Sequence, residues 1–196
     1  MIGFGTLSAQ ESDSPVYDAP DQAVWDPSSR SWFVSNLGGG ISLERDGYGW
    51  IVKLDETGEV IDPRWVENLD APSGMVVAGN LLYVVDRDGL YEIDIATAVI
   101  NHFYKVTDPQ FLNDVALGPD GKLYVSDFSA QRIYRIDPVR KNVEIFIESE
   151  KLDTPDGLYV DGNKLIVASW GPIVDPATFA TSRKGSVLSV NLHTKT

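Results

Sequence analysis

The stretch FLNDVALGPDGKLYVSDFSAQRIYRID, residues 111–137, decides how this chain is read. It opens on a polar pair, Asn113-Asp114, runs through a short apolar strand, turns on Pro119-Asp120-Gly121, and returns as a second apolar strand that stops at Asp127. An Asp-Gly step supplies the positive φ of a tight hairpin turn, so the segment reads as two antiparallel strands followed by a third, RIYRID. The same design recurs three more times: DQAVWDPSSRSWFVSN from Asp21, SGMVVAGNLLYVVD from Ser73 and DGLYVDGNKLIVAS from Asp156. Aligning Val24, Met75, Val115 and Leu158 gives steps of 51, 40 and 43 residues. Self-similarity at about 40–50 residues is the period of a propeller blade.

The remainder of each period supplies outer strands. GWIVKLDETGEVIDPRWV, GLYEIDIATAVINHFY, RIYRIDPVRKNVEIFI and GSVLSVNLHTKT each read as an alternating strand, a polar turn and, in most repeats, another strand. Helical periodicity over ten or more residues is missing. The expected fold is therefore all-β: a β-propeller of about four four-stranded blades over residues 20–196, preceded by an arm over residues 1–19. Two irregular stretches, 37–49 and 171–185, fall between the second and third strands of their blades, where long loops form functional rims.

Composition excludes several classes of function. Sixteen Lys and Arg against 29 Asp and Glu leave a formal charge of -13, which repels a phosphate backbone, so no nucleic-acid partner is expected. With no cysteine, thiolate nucleophiles, disulfides and Cys-ligated zinc are all ruled out. No apolar run approaches the roughly 18 residues that span a bilayer. Ser8-Ala9-Gln10 reads equally as a signal-peptide remnant and as a plain arm, giving an expectation of a soluble periplasmic or secreted protein, otherwise a cytoplasmic one.

In a propeller the innermost strands line the central channel, so the residues that begin them face one another at its mouth. Asp21, Ser73, Asn113 and Asp156 should converge there as a ring of oxygen atoms. Carboxylate and amide oxygens are the ligand set of a hard cation, calcium first, with magnesium, manganese or zinc as alternatives. Each element also has a plainer reading. Asp120-Gly121 is a turn, and Asp86, Asp127 and Ser169, which end second strands, are suited to bonding backbone of the adjacent blade. His102 and His193 have no phased Ser or Asp partner, which argues against a serine-hydrolase triad. The five tryptophans are inter-blade packing, Trp170 excepted: it adjoins the 171–185 loop and is placed to wall a pocket.

LNDVALGPDGKLYVSD and PDGLYVDGNKLIVASWG resemble the inner-strand openings of the gluconolactonase/regucalcin family of six-bladed propellers, and the likeness extends over residues 20–192. That resemblance implies a metal-dependent lactonase acting on a small-molecule substrate, with a monomeric full-length protein. It implies a cation held by Asp21, Asn113 and Asp156, a proton acceptor at Asp156 or Asp114, and substrate contacts from Asn113, Ser73 and Trp170. Departures exist. Asp21 stands where the family usually has Glu, and DSPVY at 13–17 mimics the family's ESPVW but lies too far ahead of its strand, which marks Asp13 as a decoy. By blade order Asn113 falls where the family has a substrate-contacting Asn and Asp156 where it has a metal Asn, so the family's metal Asp belongs to a fifth blade. The expectation is a fragment short of about two blades, forming an open or incomplete ring. The rival reading is a non-catalytic scaffold binding a small ligand or a protein, since SDFSAQRIYRID also resembles the NHL repeat.

Overall fold

The computed structural model describes residues 15–39 and 45–196; Asp13 lies outside them. The polypeptide forms antiparallel blades in chain order. Blade 1 consists of β1 (Pro20–Asp26), β2 (Ser31–Asn36), β3 (Gly49–Leu54) and β4 (Val60–Leu69). Blade 2 has β5 (Met75–Ala78), β6 (Leu81–Asp86), β7 (Gly89–Asp94) and β8 (Ile100–Lys105), and blade 3 has β9 (Leu112–Leu117), β10 (Leu123–Asp127), β11 (Arg132–Asp137) and β12 (Asn142–Glu148). Blade 4 begins with β13 (Pro155–Asp161) and β14 (Lys164–Ser169); a small hairpin, β15 (Ile173–Asp175) and β16 (Ala180–Thr181), then intervenes before β17 (Ser186–Asn191) closes the sheet. Among the described residues this fourth sheet has three strands rather than four, and the helical content is one 3-10 turn, Glu150–Leu152. The four sheets stand radially in the arrangement of a β-propeller, as the repeats require.

Small polar residues repeat with the strands and fix their ends. Asp55, Asp94, Asp137 and Asn191 follow or end the third strands, and each side chain accepts backbone N–H groups of the turn behind it, as in Asp94 from Ala96 at 3.0 Å and Thr97 at 2.9 Å. Such turns need no apolar support, so each outer hairpin is locally specified. Asp86 and Asp127, which end second strands, take N–H groups from the connector arriving from the preceding blade: Asp70 and Ala71 in one case, Gln110 and Phe111 in the other. Asn36 does the same with Asp18 N–H, and Ser169 donates its hydroxyl to Leu152 O at 2.6 Å. Gly121 sits at φ 72°, so Asp120-Gly121 is the hairpin turn expected.

Between the blades lie three apolar cores. Phe33, Ile51 and Trp65 of blade 1 meet Met75, Leu82 and Val84 of blade 2. Tyr83, Leu90 and Tyr104 of blade 2 meet Val115, Val125 and Tyr134 of blade 3, and Tyr124, Ile133 and Phe146 of blade 3 meet Leu165, Val167 and Val190 of blade 4. The alternation of each strand feeds one core from each face, which is why β6 and β10 are buried along most of their length. Among the described residues no core joins blade 4 to blade 1. The outer face of blade 4 presents Tyr159, 68% exposed, and Val187, 73% exposed. Blade 1 presents the tilted Trp25–Trp32 pair, whose rings are 5.2 Å apart.

Pairing register corrects one residue of the repeat alignment. Met75, Val115 and Leu158 pair with Val84, Val125 and Val167, and the residue so paired in blade 1 is Ala23, opposite Val34, rather than Val24. With Ala23 as the counterpart, the inner strands of blades 1, 3 and 4 share a bulge at the same place. Asp21-Gln22 lie opposite Ser35, Asn113-Asp114 opposite Ser126, and Asp156-Gly157 opposite Ala168, two residues against one. A bulge re-aims side chains and sharpens the local twist.

Candidate functional site

The bulges answer why an amide and a carboxylate stand side by side at 113–114. Their first residues, Asp21, Asn113 and Asp156, line one cleft together with Ser73, the corresponding position of blade 2. Their second residues serve the framework. Asp114 accepts Leu158 N–H at 2.7 Å, Val115 N–H at 2.8 Å and the Gln22 side-chain amide at 3.3 Å. Gln22 in turn takes Met75 N–H on its carbonyl oxygen. Blades 1, 2, 3 and 4 are thus stitched by Gln22 and Asp114 across the channel. Serines opposite the bulges satisfy the backbone they displace: Ser35 takes Gln22 N–H at 3.1 Å, and Ser126 takes Asp114 N–H at 3.0 Å while donating to Asp156 O at 2.7 Å.

Asp114, one of the two candidate bases in the sequence, is therefore spent on hydrogen bonds and is not among the cleft-lining residues. By contrast, among the described residues no donor bonds the carboxylates of Asp21 or Asp156. Burial raises the Asp156 carboxyl above its ordinary value of 3.8. Burial also raises Asp21, and the Asp114 and Asp156 carboxylates push it further in the same direction, although Asp21 keeps solvent contact at the strand start. For Asp114, burial outweighs its hydrogen bonds, and Asp156 adds to the rise. Truncating the strut should show in stability: Asp114→Ala leaves Leu158 N–H and Val115 N–H without a partner. We expect a loss of about 2 kcal/mol in urea denaturation, and a change below about 0.5 kcal/mol would mean water replaces the carboxylate.

Ser73 lines the cleft but has its hydroxyl engaged, donating to Asn113 O at 2.8 Å. Trp170 lines it too, as its neighbourhood to the long loop suggested. That loop is the β15–β16 hairpin. Trp170 Nε1–H donates to Phe179 O at 3.0 Å, and the Arg183 guanidinium pairs with the nearly buried Asp153 carboxylate at 2.7 Å, so the hairpin is fastened at two points. It delivers Phe179 onto the cleft wall, where Phe111, Phe128 and Leu37 also sit. None of these four was singled out in the sequence. Leu37 and Phe179 belong to the two long loops flagged there, which was the available signal. Of the other tryptophans only Trp65 packs between blades, in the core of blades 1 and 2; Trp50 lies under the Arg64 guanidinium at 3.8 Å, and Trp25 and Trp32 pack on each other within blade 1. His102 stacks edge-on with Tyr104, and neither histidine lines the cleft.

The enclosed part of the cleft measures about 190 Å³. Among the described residues no group of three His, Cys, Asp or Glu side chains stands close enough together to hold a metal ion. No described helix is long and apolar enough to cross a membrane.

Comparison with known proteins supports the architecture. No family profile and no curated protein sequence matches the chain. Among solved structures it is similar to hydrazine synthase of Kuenenia stuttgartiensis, with a TM-score of 0.65 at 20% identity over 97% of this chain and 50% of that one. It is also similar to a luciferin-regenerating enzyme, with a TM-score of 0.63 at 19% identity, and to regucalcin of Agrobacterium tumefaciens, with a TM-score of 0.62 at 15% identity. Each of the last two matches covers 87% of this chain and 60% of the other. The chain spans about half to three-fifths of the length of these relatives in shape. Identities this low establish the β-propeller scaffold that they share with it.

Proposed function

We propose that this protein is a gluconolactonase/regucalcin-like propeller whose cleft hydrolyses small cyclic esters with a divalent cation. The observation that carries the reading is that Asp21, Asn113 and Asp156, equivalent bulge residues of three blades, face one cleft with side chains that no donor among the described residues satisfies. Oxygen ligands converging on one cleft, half-buried at Asn113 and Asp156 and exposed at Asp21, two of them carboxylates with raised pKa, fit a hard cation by type. Calcium is the first candidate, and the regucalcin neighbour is described as calcium-binding. A cation there would polarise the ester carbonyl and offset charge on its oxygen.

Asp156 is the base in this scheme. Its carboxylate lines the same cleft, and among the described residues no donor bonds it, which leaves an oxygen lone pair for a water beside the cation. It takes a proton from water as the water oxygen bonds the carbonyl carbon. The ring C–O bond then breaks, the proton passes to the departing alkoxide, and a hydroxy acid leaves. Asn113 orients the substrate or ligates the cation, and Ser73 and Trp170 complete the contacts.

A non-catalytic ligand-binding propeller is the second reading, favoured by the lack of a three-carboxylate cluster among the described residues. A lactone panel assayed by proton release with calcium, magnesium, manganese or zinc separates the two. Turnover that a chelator abolishes is the expected result. No turnover with any of the four cations would leave the scaffold reading.

A further inference from the structure

Besides its acidic residues, the cleft is walled by rings. Phe128, only 4% exposed, is the hub: Phe111 lies 5.5 Å away, Phe179 5.9 Å and Trp170 6.3 Å, all edge-on or nearly so. Inter-blade packing does not explain this cluster, because none of the four rings belongs to the three cores between blades. Trp170 remains 49% exposed, an uncommon state for a ring that a protein needs only as filling. Phe179 adds an independent sign. Its backbone sits at φ 54°, left-handed space that a bulky residue occupies at a cost of order 1–3 kcal/mol, and strain of this kind gathers at ligand sites. A glycine at that hairpin position would turn without strain, but would put no ring on the cleft.

We infer that the cleft takes a ligand with an aromatic or alicyclic ring, seated against Phe128, Trp170 and Phe179, with one small polar head turned to Asp21, Asn113 and Asp156. Polyhydroxylated sugar lactones are the poorer fit: Arg87 and Gln110 also line the cleft, but hydroxyls pressed against its ring wall would lose water without gaining partners. Volume sets the size. A cavity of about 150 Å³ accommodates benzene, so the roughly 190 Å³ here holds one ring plus a carbonyl-sized head, with anything longer emerging at the open side. The inference names the substrate class of the site proposed above, and rests on that reading only for the orientation of the polar head.

The test uses three probes on the full chain: dihydrocoumarin, an aromatic lactone; tetralin, the same bicycle without the ester; and glucono-1,5-lactone. Binding is read by calorimetry or ligand-observed NMR in wild type and in Phe179→Gly, which relieves the backbone and so keeps the fold. Loss of one ring contact should weaken dihydrocoumarin and tetralin by about tenfold while leaving the thermal midpoint unchanged or higher. If both aromatic probes bind and weaken in this way but no lactone is hydrolysed with any cation, the ring pocket stands and the hydrolase reading falls. If gluconolactone binds as tightly as dihydrocoumarin, or Phe179→Gly leaves the aromatic affinities unchanged, the inference is overturned even where hydrolysis is observed.

Discussion

Gly74→Ala is expected to cost about 3 kcal/mol of stability, the upper end for overpacking, whereas Gly157→Ala at the equivalent position of blade 4 should be neutral or stabilising. A Cβ on Gly74 would lie 2.5 Å from Asp114 Cα and 2.8 Å from Asn113 O, both on the backbone of the neighbouring inner strand. Neither atom can swing aside as the end of a side chain would, so β9 has to retreat from blade 2 and the Asp114 bridges loosen with it. On Gly157 the nearest atoms are Ala168 Cβ at 3.8 Å and Asp114 Oδ2 at 3.9 Å, an ordinary contact. Its φ is not in left-handed space, and alanine there removes freedom from the unfolded chain, worth about 0.4–1 kcal/mol. Urea midpoints of the two variants measured side by side decide the matter. Equal losses would mean that the second bulge residue is constrained by its own strand and not by the blade beside it.

Asp156→Asn should lower lactone turnover by about 10²- to 10⁴-fold, the share a positioned general base supplies, and at the same time stabilise the metal-free protein at neutral pH. The stability half follows from the sign of the shift. A carboxyl whose folded pKa is raised above its unfolded value binds its proton more tightly when folded, so folding is penalised once pH exceeds the folded pKa. As pH falls toward the ordinary value of 3.8 and below, the penalty vanishes, and wild type and variant should converge. Asp21→Asn should behave alike, with a larger gain if repulsion from Asp114 and Asp156 is strong. Calcium should narrow the same gap in wild type by binding the folded state. Thermal midpoints across pH 3 to 8, with and without calcium, test this. A variant less stable than wild type at pH 7 would show that the Asp156 carboxylate holds structure through a contact of its own.

The repeat was legible because a blade is a local object. Each hairpin carries its own turn residues, and alternation alone assigns the faces, so residues 112–148 could be read as one four-stranded sheet without reference to the rest. Asp21, Asn113 and Asp156 were recoverable by register for the same reason. What escaped was whatever depends on one blade meeting another. That Ala23 rather than Val24 is the counterpart of Val115 follows from strand pairing, Ala23 opposite Val34 as Val115 is opposite Val125, and two adjacent apolar residues give the spacing no sign of which is meant. Asn113 and Asp114 look interchangeable in sequence, yet one faces the cleft and the other bridges blades, a division set by how far the inner strand twists. Phe111, Phe128 and Phe179 come from a connector, a strand end and an insertion. No period relates them, so only the folded arrangement brings them to a single wall.

The three cores in series give the molecule the mechanics of a one-dimensional array. Among the described residues blades 2 and 3 are each gripped from both sides by these cores. In such an array stability is a sum of unit and nearest-neighbour contributions, and opening proceeds inward from the ends. Asp21 rides on blade 1, Asn113 on blade 3 and Asp156 on blade 4. Anything that grips Asp21 and Asp156 together ties blade 1 directly to blade 4, which no core among the described residues does.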